Sequence, residues 1–215
     1  MMNLVLKMLF YPSPKLTISK EEEIRFNHLY EIALQTPDKL IHYTIPIPKY
    51  KFLYYLAMKK PIIFHGSNNK TIDCFEPGDQ TQYNGKLVNA VFATKDPIWP
   101  VFFATLQKEK IIGDIRNASL SADRDKAFHF YSLTKETLAN QPWDSGMIYI
   151  LPKEPFNYLG EGSIQFNEWI SNDPVLPLAK LKVNPSDFFF YNKVATHRAG
   201  ESILKSWLLY KLRTR

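Results

Sequence analysis

Phe64-His65-Gly66-Ser67 closes the apolar run Pro61-Ile62-Ile63. A short, β-branched run bounded by proline and glycine favours an extended chain, so residues 61–65 read as a strand. A histidine at the end of that strand offers a donor and an acceptor at a sheet edge. Gly66 lets a second group approach the backbone closely, because no Cβ stands in the way. Alone, the segment also fits a turn glycine beside a core-capping histidine.

Working outward, the chain before residue 61 is helical in pattern. Ser19 and Glu22 form a capping box, Glu21 to Glu23 suit the positive end of a helix dipole, and residues 19–35 carry a broad apolar face. A second helix is expected from Pro48, with Phe52, Leu53, Tyr55 and Leu56 facing the core. Residues 1–60 thus read as a helical N-terminal extension packed on the core, and residues 61–215 as the domain that carries the chemistry.

After residue 61 come short apolar runs separated by turns. Strands are expected at 88–94, 127–133, 146–151, 166–171, 178–183 and 188–191. Asp96-Pro97 opens a helix with Trp99, Phe102, Phe103 and Leu106 inside. Residues 201–212 form a closing amphipathic helix with Ile203, Leu204, Trp207 and Leu208 inward. Strands with few helices between them predict an α+β fold. The polar loop 68–86 is long enough to be functional.

Composition narrows the function. At 45% hydrophobic and 14% aromatic, 215 residues can bury a sizeable core. The single cysteine, Cys74, excludes a disulfide framework, and His28, His42, His65, His129 and His197 lack zinc-like pairing, so no metal is expected. No apolar run approaches the roughly 18–20 residues that span a bilayer. The apolar start is broken by Lys7 and lacks a basic n-region, so a cytoplasmic protein with no membrane partner is expected. The charge of +6 is diffuse and reads as a solvated surface. Phosphate-binding glycine loops are absent, and Ser67 lies outside any nucleophile-elbow context.

Two further segments belong with the first. Asn89-Ala90-Val91-Phe92-Ala93-Thr94 reads as a buried strand, in which Phe92, like Trp99 and Phe102 beyond it, could wall a site for a planar ring. Gln165-Phe166-Asn167-Glu168-Trp169-Ile170-Ser171 places a carboxylate in a strand-like run, where acids are uncommon. If that strand is half buried, Glu168 faces a cleft; otherwise it is an exposed edge residue.

His65-Gly66-Ser67 resembles the His-Gly-Ser/Thr motif of the diphtheria-toxin-like and poly(ADP-ribose) polymerase-like branch of ADP-ribosyltransferases. Val91-Phe92-Ala93 is similar to that branch's Tyr-Phe-Ala strand. Asn167-Glu168-Trp169-Ile170 is similar to its Asn-Glu-Tyr-Ile segment, and Leu178 with Leu181-Lys182-Val183 to its closing strand. The ordered set spans residues 61–190. The resemblance implies an ADP-ribosyltransferase-like fold, a split antiparallel β-sheet cradling NAD, here with an N-terminal helical extension and a C-terminal helix.

The resemblance also implies roles. His65 bonds the adenosine ribose, and Gly66, with Ser67 beside it, holds the nicotinamide carboxamide through its backbone. Phe102 falls where the family has its nicotinamide-stacking aromatic, with Trp99 a substitute. Glu168 contacts the nicotinamide ribose and stabilises an oxocarbenium-like transition state. Breaking the glycosidic bond creates a cationic sugar, which a fixed carboxylate in a partly dry site stabilises. Nicotinamide leaves neutral, so no strong general acid is needed. Two departures stand out: Val91 replaces the family's tyrosine, and Trp99 lies near the position of a small hydroxyl residue, with Thr94 its available substitute. The expected function is therefore transfer of ADP-ribose to a protein or nucleic-acid acceptor or to water. The alternative is a catalytically silent nucleotide- or protein-binding member.

Overall fold

The structure, a computed structural model, describes residues 2–82, 85–123, 126–160 and 162–214. The N-terminal part contains α1 (Met2–Leu9), β1 (Tyr11–Pro12), α2 (Lys20–Gln35) and α3 (Lys49–Lys59). Then follow β2 (Ile62–Ser67), β3 (Gly78–Thr81), β4 (Leu87–Ala93) and α4 (Trp99–Thr105). A long hairpin of β5 (Ile115–Asp123) and β6 (Lys126–Thr134) leads to α5 (Lys135–Ala139) and β7 (Gly146–Pro152). Short strands β8 (Asn157–Tyr158), β9 (Gln165–Phe166) and β10 (Trp169–Ser171) precede β11 (Ala179–Val183), β12 (Ala195–His197) and α6 (Ile203–Arg213).

The fold is α+β, and its sheets are almost wholly antiparallel. One sheet has the order β11-β7-β2 and another β3-β4-β10-β8. A single bridge, Phe64 to Thr94, joins β2 to β4 and makes the two nearly continuous. The third sheet runs β1-β6-β5-β9, with β12 added parallel to β6. The largest core lies between the first sheet and α2, α3 and α4. There Phe26 and Phe52 share one cluster with Phe64, Phe102 and Ile148. The helices before residue 61 thus contribute to the same core as the strands after it. A smaller cluster on the opposite face holds Ile63, Phe75, Val91, Ala93 and Tyr149.

The helix at α2 starts where its capping box predicts: Ser19 Oγ accepts from the Glu22 amide, and Glu22 accepts from the Ser19 amide. The position of α4 is set by two glycines. A Cβ on Gly66 would lie 1.8 Å from the Pro100 carbonyl oxygen, and one on Gly146 1.7 Å from that of Ala104. The helix backbone therefore rests directly on β2 and β7. At Gly66 this helix carbonyl occupies the space that a Cβ would fill.

Several expectations are corrected. Residues 188–191 form turns, not a strand; Phe188 and Phe190 enter the core alternately and so imitate strand periodicity. The 166–171 strand is broken at Asn167-Glu168, because β9 pairs with β5 whereas β10 pairs with β4. In α6, Ile203, Leu204 and Leu208 face outward, at 49%, 62% and 60% exposure; Ser206 and Tyr210 face inward. Polar anchors choose that face, since Ser206 Oγ accepts from Arg116 and the Tyr210 hydroxyl donates to the Lys193 carbonyl. Neither helix α1 nor strand β5 follows from the sequence pattern. The latter is rich in small polar residues, but Ser119 and Ser121 are buried.

Candidate functional site

The three segments singled out by sequence, separated by up to a hundred residues, come together on neighbouring strands. Residues 64–67 lie on β2, 91–93 on β4, and Glu168 immediately precedes β10. Trp169 is paired with Ala93 and Ile170 with Phe92. Glu168 thus lies beside the end of β4 and about two strand spacings, roughly 10 Å, from β2.

Between β2 and β4 the sheet splits. Phe64 and Thr94 exchange both backbone hydrogen bonds, at 2.8 and 2.9 Å. Along an extended chain, the backbone groups of every second residue point the same way. The N–H and C=O of Gly66 are therefore directed toward β4, as are those of Phe92 toward β2, yet beyond Phe64–Thr94 the strands no longer pair. The His65 side chain enters that gap: its Nδ1 is 2.7 Å from the Phe92 carbonyl oxygen. A carbonyl only accepts, so Nδ1 carries the proton, and a neutral His65 presents Nε2 as an acceptor. Burial holds the His65 pKa below its ordinary value, opposed in part by the bond to Phe92 and aided by the Lys108 charge.

The loop after β2 folds back over the histidine. The Phe75 ring lies 4.6 Å from that of His65, and the Phe75 backbone is paired with Val175. The Tyr149 hydroxyl fastens the loop, donating to the Asn69 carbonyl at 2.8 Å and accepting from the Ile72 amide at 3.0 Å. Ser67, largely buried, accepts from the Asn69 amide through Oγ. Neither ring carries a signal in the sequence: Tyr149 is one member of the apolar run 146–151, and Phe75 lies in a polar loop.

The remaining expected residues are placed differently. Phe102 is fully enclosed, with its ring 4.9 Å from Tyr131 and 5.7 Å from Phe188. Trp99 is 6% exposed and donates from Nε1 to Asn117 Oδ1. Both rings are core members here, away from any open wall. Phe92 is the half-buried aromatic of the set, level with Ile170 and adjoining the split. Thr94 is buried and accepts the Asp96 amide through Oγ1.

Beneath Glu168 runs a buried polar relay. Asp96 Oδ1 accepts from the Ile98 and Trp99 amides at the start of α4, and its Oδ2 accepts from Ser119 Oγ at 2.8 Å. Ser119 Oγ in turn accepts from Asn167 Nδ2 at 2.8 Å, and the Ser119 carbonyl accepts from the Asn167 amide. Glu168 itself is half buried, and its carbonyl accepts from the Leu159 amide. The relay fixes the backbone on the N-terminal side of Glu168 at the place where the chain crosses from one sheet to another.

No family model, curated protein or solved structure matches this chain. Among the described residues, no group of three or more His, Cys, Asp or Glu is placed to hold a metal ion. No helix among them is long and apolar enough to cross a membrane.

Proposed function

We propose that this chain is an ADP-ribosyltransferase-like enzyme that cleaves the bond between nicotinamide and ribose in NAD. ADP-ribose would pass to a protein or nucleic-acid acceptor, or to water. One observation carries the reading: β2, β4 and the Glu168 segment are neighbours, and the sheet opens between Gly66 and Phe92. The Gly66 amide and carbonyl, two residues beyond the Phe64–Thr94 bridge, suit a carboxamide, which needs one acceptor and one donor. His65 Nε2 suits a ribose hydroxyl. Glu168 supplies the negative charge that an oxocarbenium-like sugar requires as the glycosidic bond breaks. The bond's electron pair would leave with neutral nicotinamide, the acceptor's lone pair would close the new bond at the sugar, and the acceptor's proton would pass to solvent.

The enclosed Phe102 and the valine at position 91 favour a second reading, a silent member that binds the nucleotide without turnover. Incubation with NAD labelled in the nicotinamide ring separates the two. The enzyme releases label, and Glu168→Gln reduces release at least a hundredfold with its melting temperature retained. Calorimetric binding of NAD without release supports the silent member, and neither binding nor release removes both.

A further inference from the structure

We propose that α1 and α6 together form a docking face for an anionic membrane surface, independently of the chemistry at the split sheet. The two helices lie side by side: the Phe10 ring meets Trp207 edge-on at 5.6 Å, and Lys211 Nζ donates to the Lys7 carbonyl at 2.5 Å. Each buries one narrow side, Leu6 in α1 and Ser206 with Tyr210 in α6. The opposite sides are aliphatic and open. Leu4 and Met8, one turn apart, are 64% and 71% exposed; Leu204, Leu208 and Leu212 form a second row at 60–62%.

Rows of long aliphatic side chains left in water on two packed helices point to an interaction site. Charge selects the occupant. Neither helix contains an acidic residue, whereas Lys7 and Lys205 are exposed beside the aliphatic rows. Glu201, just before α6, is closed off in a paired contact with Arg213. A second copy docking on the same face would bring together two lysine-bearing faces with no acidic residue in either helix, since a twofold contact uses the same patch twice. An anionic lipid surface accepts both parts: the aliphatic rows enter the acyl boundary and the lysines reach the headgroups. Lying in the interface does not require a helix that spans the bilayer, so the lack of such a helix among the described residues is no obstacle.

The test is co-sedimentation of the full chain with vesicles of phosphatidylcholine, alone and with one third phosphatidylserine. Binding to the mixed vesicles is expected, weakening as salt screens the surface. Lys7→Gln and Lys205→Gln should each weaken it about fivefold. Leu204→Gln combined with Leu208→Gln, both at open positions, should abolish it with the melting temperature unchanged. Failure to pellet with mixed vesicles overturns the proposal. So does pelleting that the leucine variant leaves intact, or a dimer in light scattering that this variant dissociates.

Discussion

His65 donates from Nδ1 to the Phe92 carbonyl, so a side chain takes over where the backbone pairing of β2 and β4 ends. Two consequences follow from that one bond. The tautomer is fixed with Nε2 as acceptor, and burial keeps the ring neutral near pH 7. Nitrogen-detected NMR should therefore find a neutral, Nδ1-protonated ring at pH 7. Replacing His65 by Ala should weaken NAD binding about tenfold, the worth of one hydrogen bond of about 1.4 kcal/mol. Calorimetry measures it, and an unchanged affinity would remove His65 from the ribose.

Gly66 and Gly146 are held by packing against α4, and substitution separates that from any ligand role. Gly66→Ala and Gly146→Ala each drive a methyl into a helix carbonyl. Each is expected to cost about 3 kcal/mol, the upper end for overpacking. Gly78→Ala, with nothing within 4 Å of its new Cβ, is the neutral comparison. Urea unfolding provides the measurement; equal midpoints for all three would contradict the fit of α4.

The capping box, the β2 strand and the α4 aromatics were legible in the sequence because each is a local pattern. Ser19 with Glu22 needs only three residues, and residues 61–65 only a bounded apolar run. What was illegible depends on distant partners. Phe102 resembles a ring for a ligand until Tyr131 and Phe188 enclose it. Residues 203–212 have apolar positions on several sides, and the inward face is chosen by partners outside the helix, Lys193 before it and Arg116 far away in sequence. At the site, sequence order singled out the three segments without saying how their strands pair. It did not predict the fastening of the loop by Tyr149 or the relay from Asp96 to Asn167.

Asp96 joins the start of α4 to the segment bearing Glu168. Asp96→Ala strands the Ile98 and Trp99 amides and the Ser119 hydroxyl, and should cost about 3 kcal/mol. Asp96→Asn keeps an oxygen for both amides and should cost about 1 kcal/mol. Asn167→Ala tests the far end of the relay. On the proposed chemistry it should lower the rate of nicotinamide release with little change in NAD affinity, because it alters how the Glu168 segment is held and leaves the groups proposed to bind the nucleotide in place. A loss of affinity with an unchanged rate would place Asn167 outside the positioning of Glu168.

Acid should destabilise the fold in two stages, each traceable to named groups. His129 is wholly enclosed, with Ser13 and Tyr131 on its two nitrogens, and burial lowers its pKa despite Asp96 3.5 Å away. In the unfolded chain a histidine titrates near 6.5. Below that pH the unfolded state binds a proton that the native state refuses, so stability falls as pH falls. His65 adds to the same slope. The second stage belongs to Glu201, whose carboxylate is held at about 2 by hydrogen bonds from Arg213, reinforced by Ser206. Its contribution is complete above the ordinary value of 4.5 and is lost as pH falls from there toward 2. Melting temperature measured from pH 8 to pH 3 should thus begin to fall below about 6.5 and steepen below 4.5. His129→Gln should flatten the first slope, whatever it does to the height of the curve. Glu201→Gln should lower stability at pH 7 and flatten the second slope, because the lost pairing with Arg213 no longer depends on protonation. A wild-type curve level between pH 7 and pH 5 would contradict a neutral, buried His129.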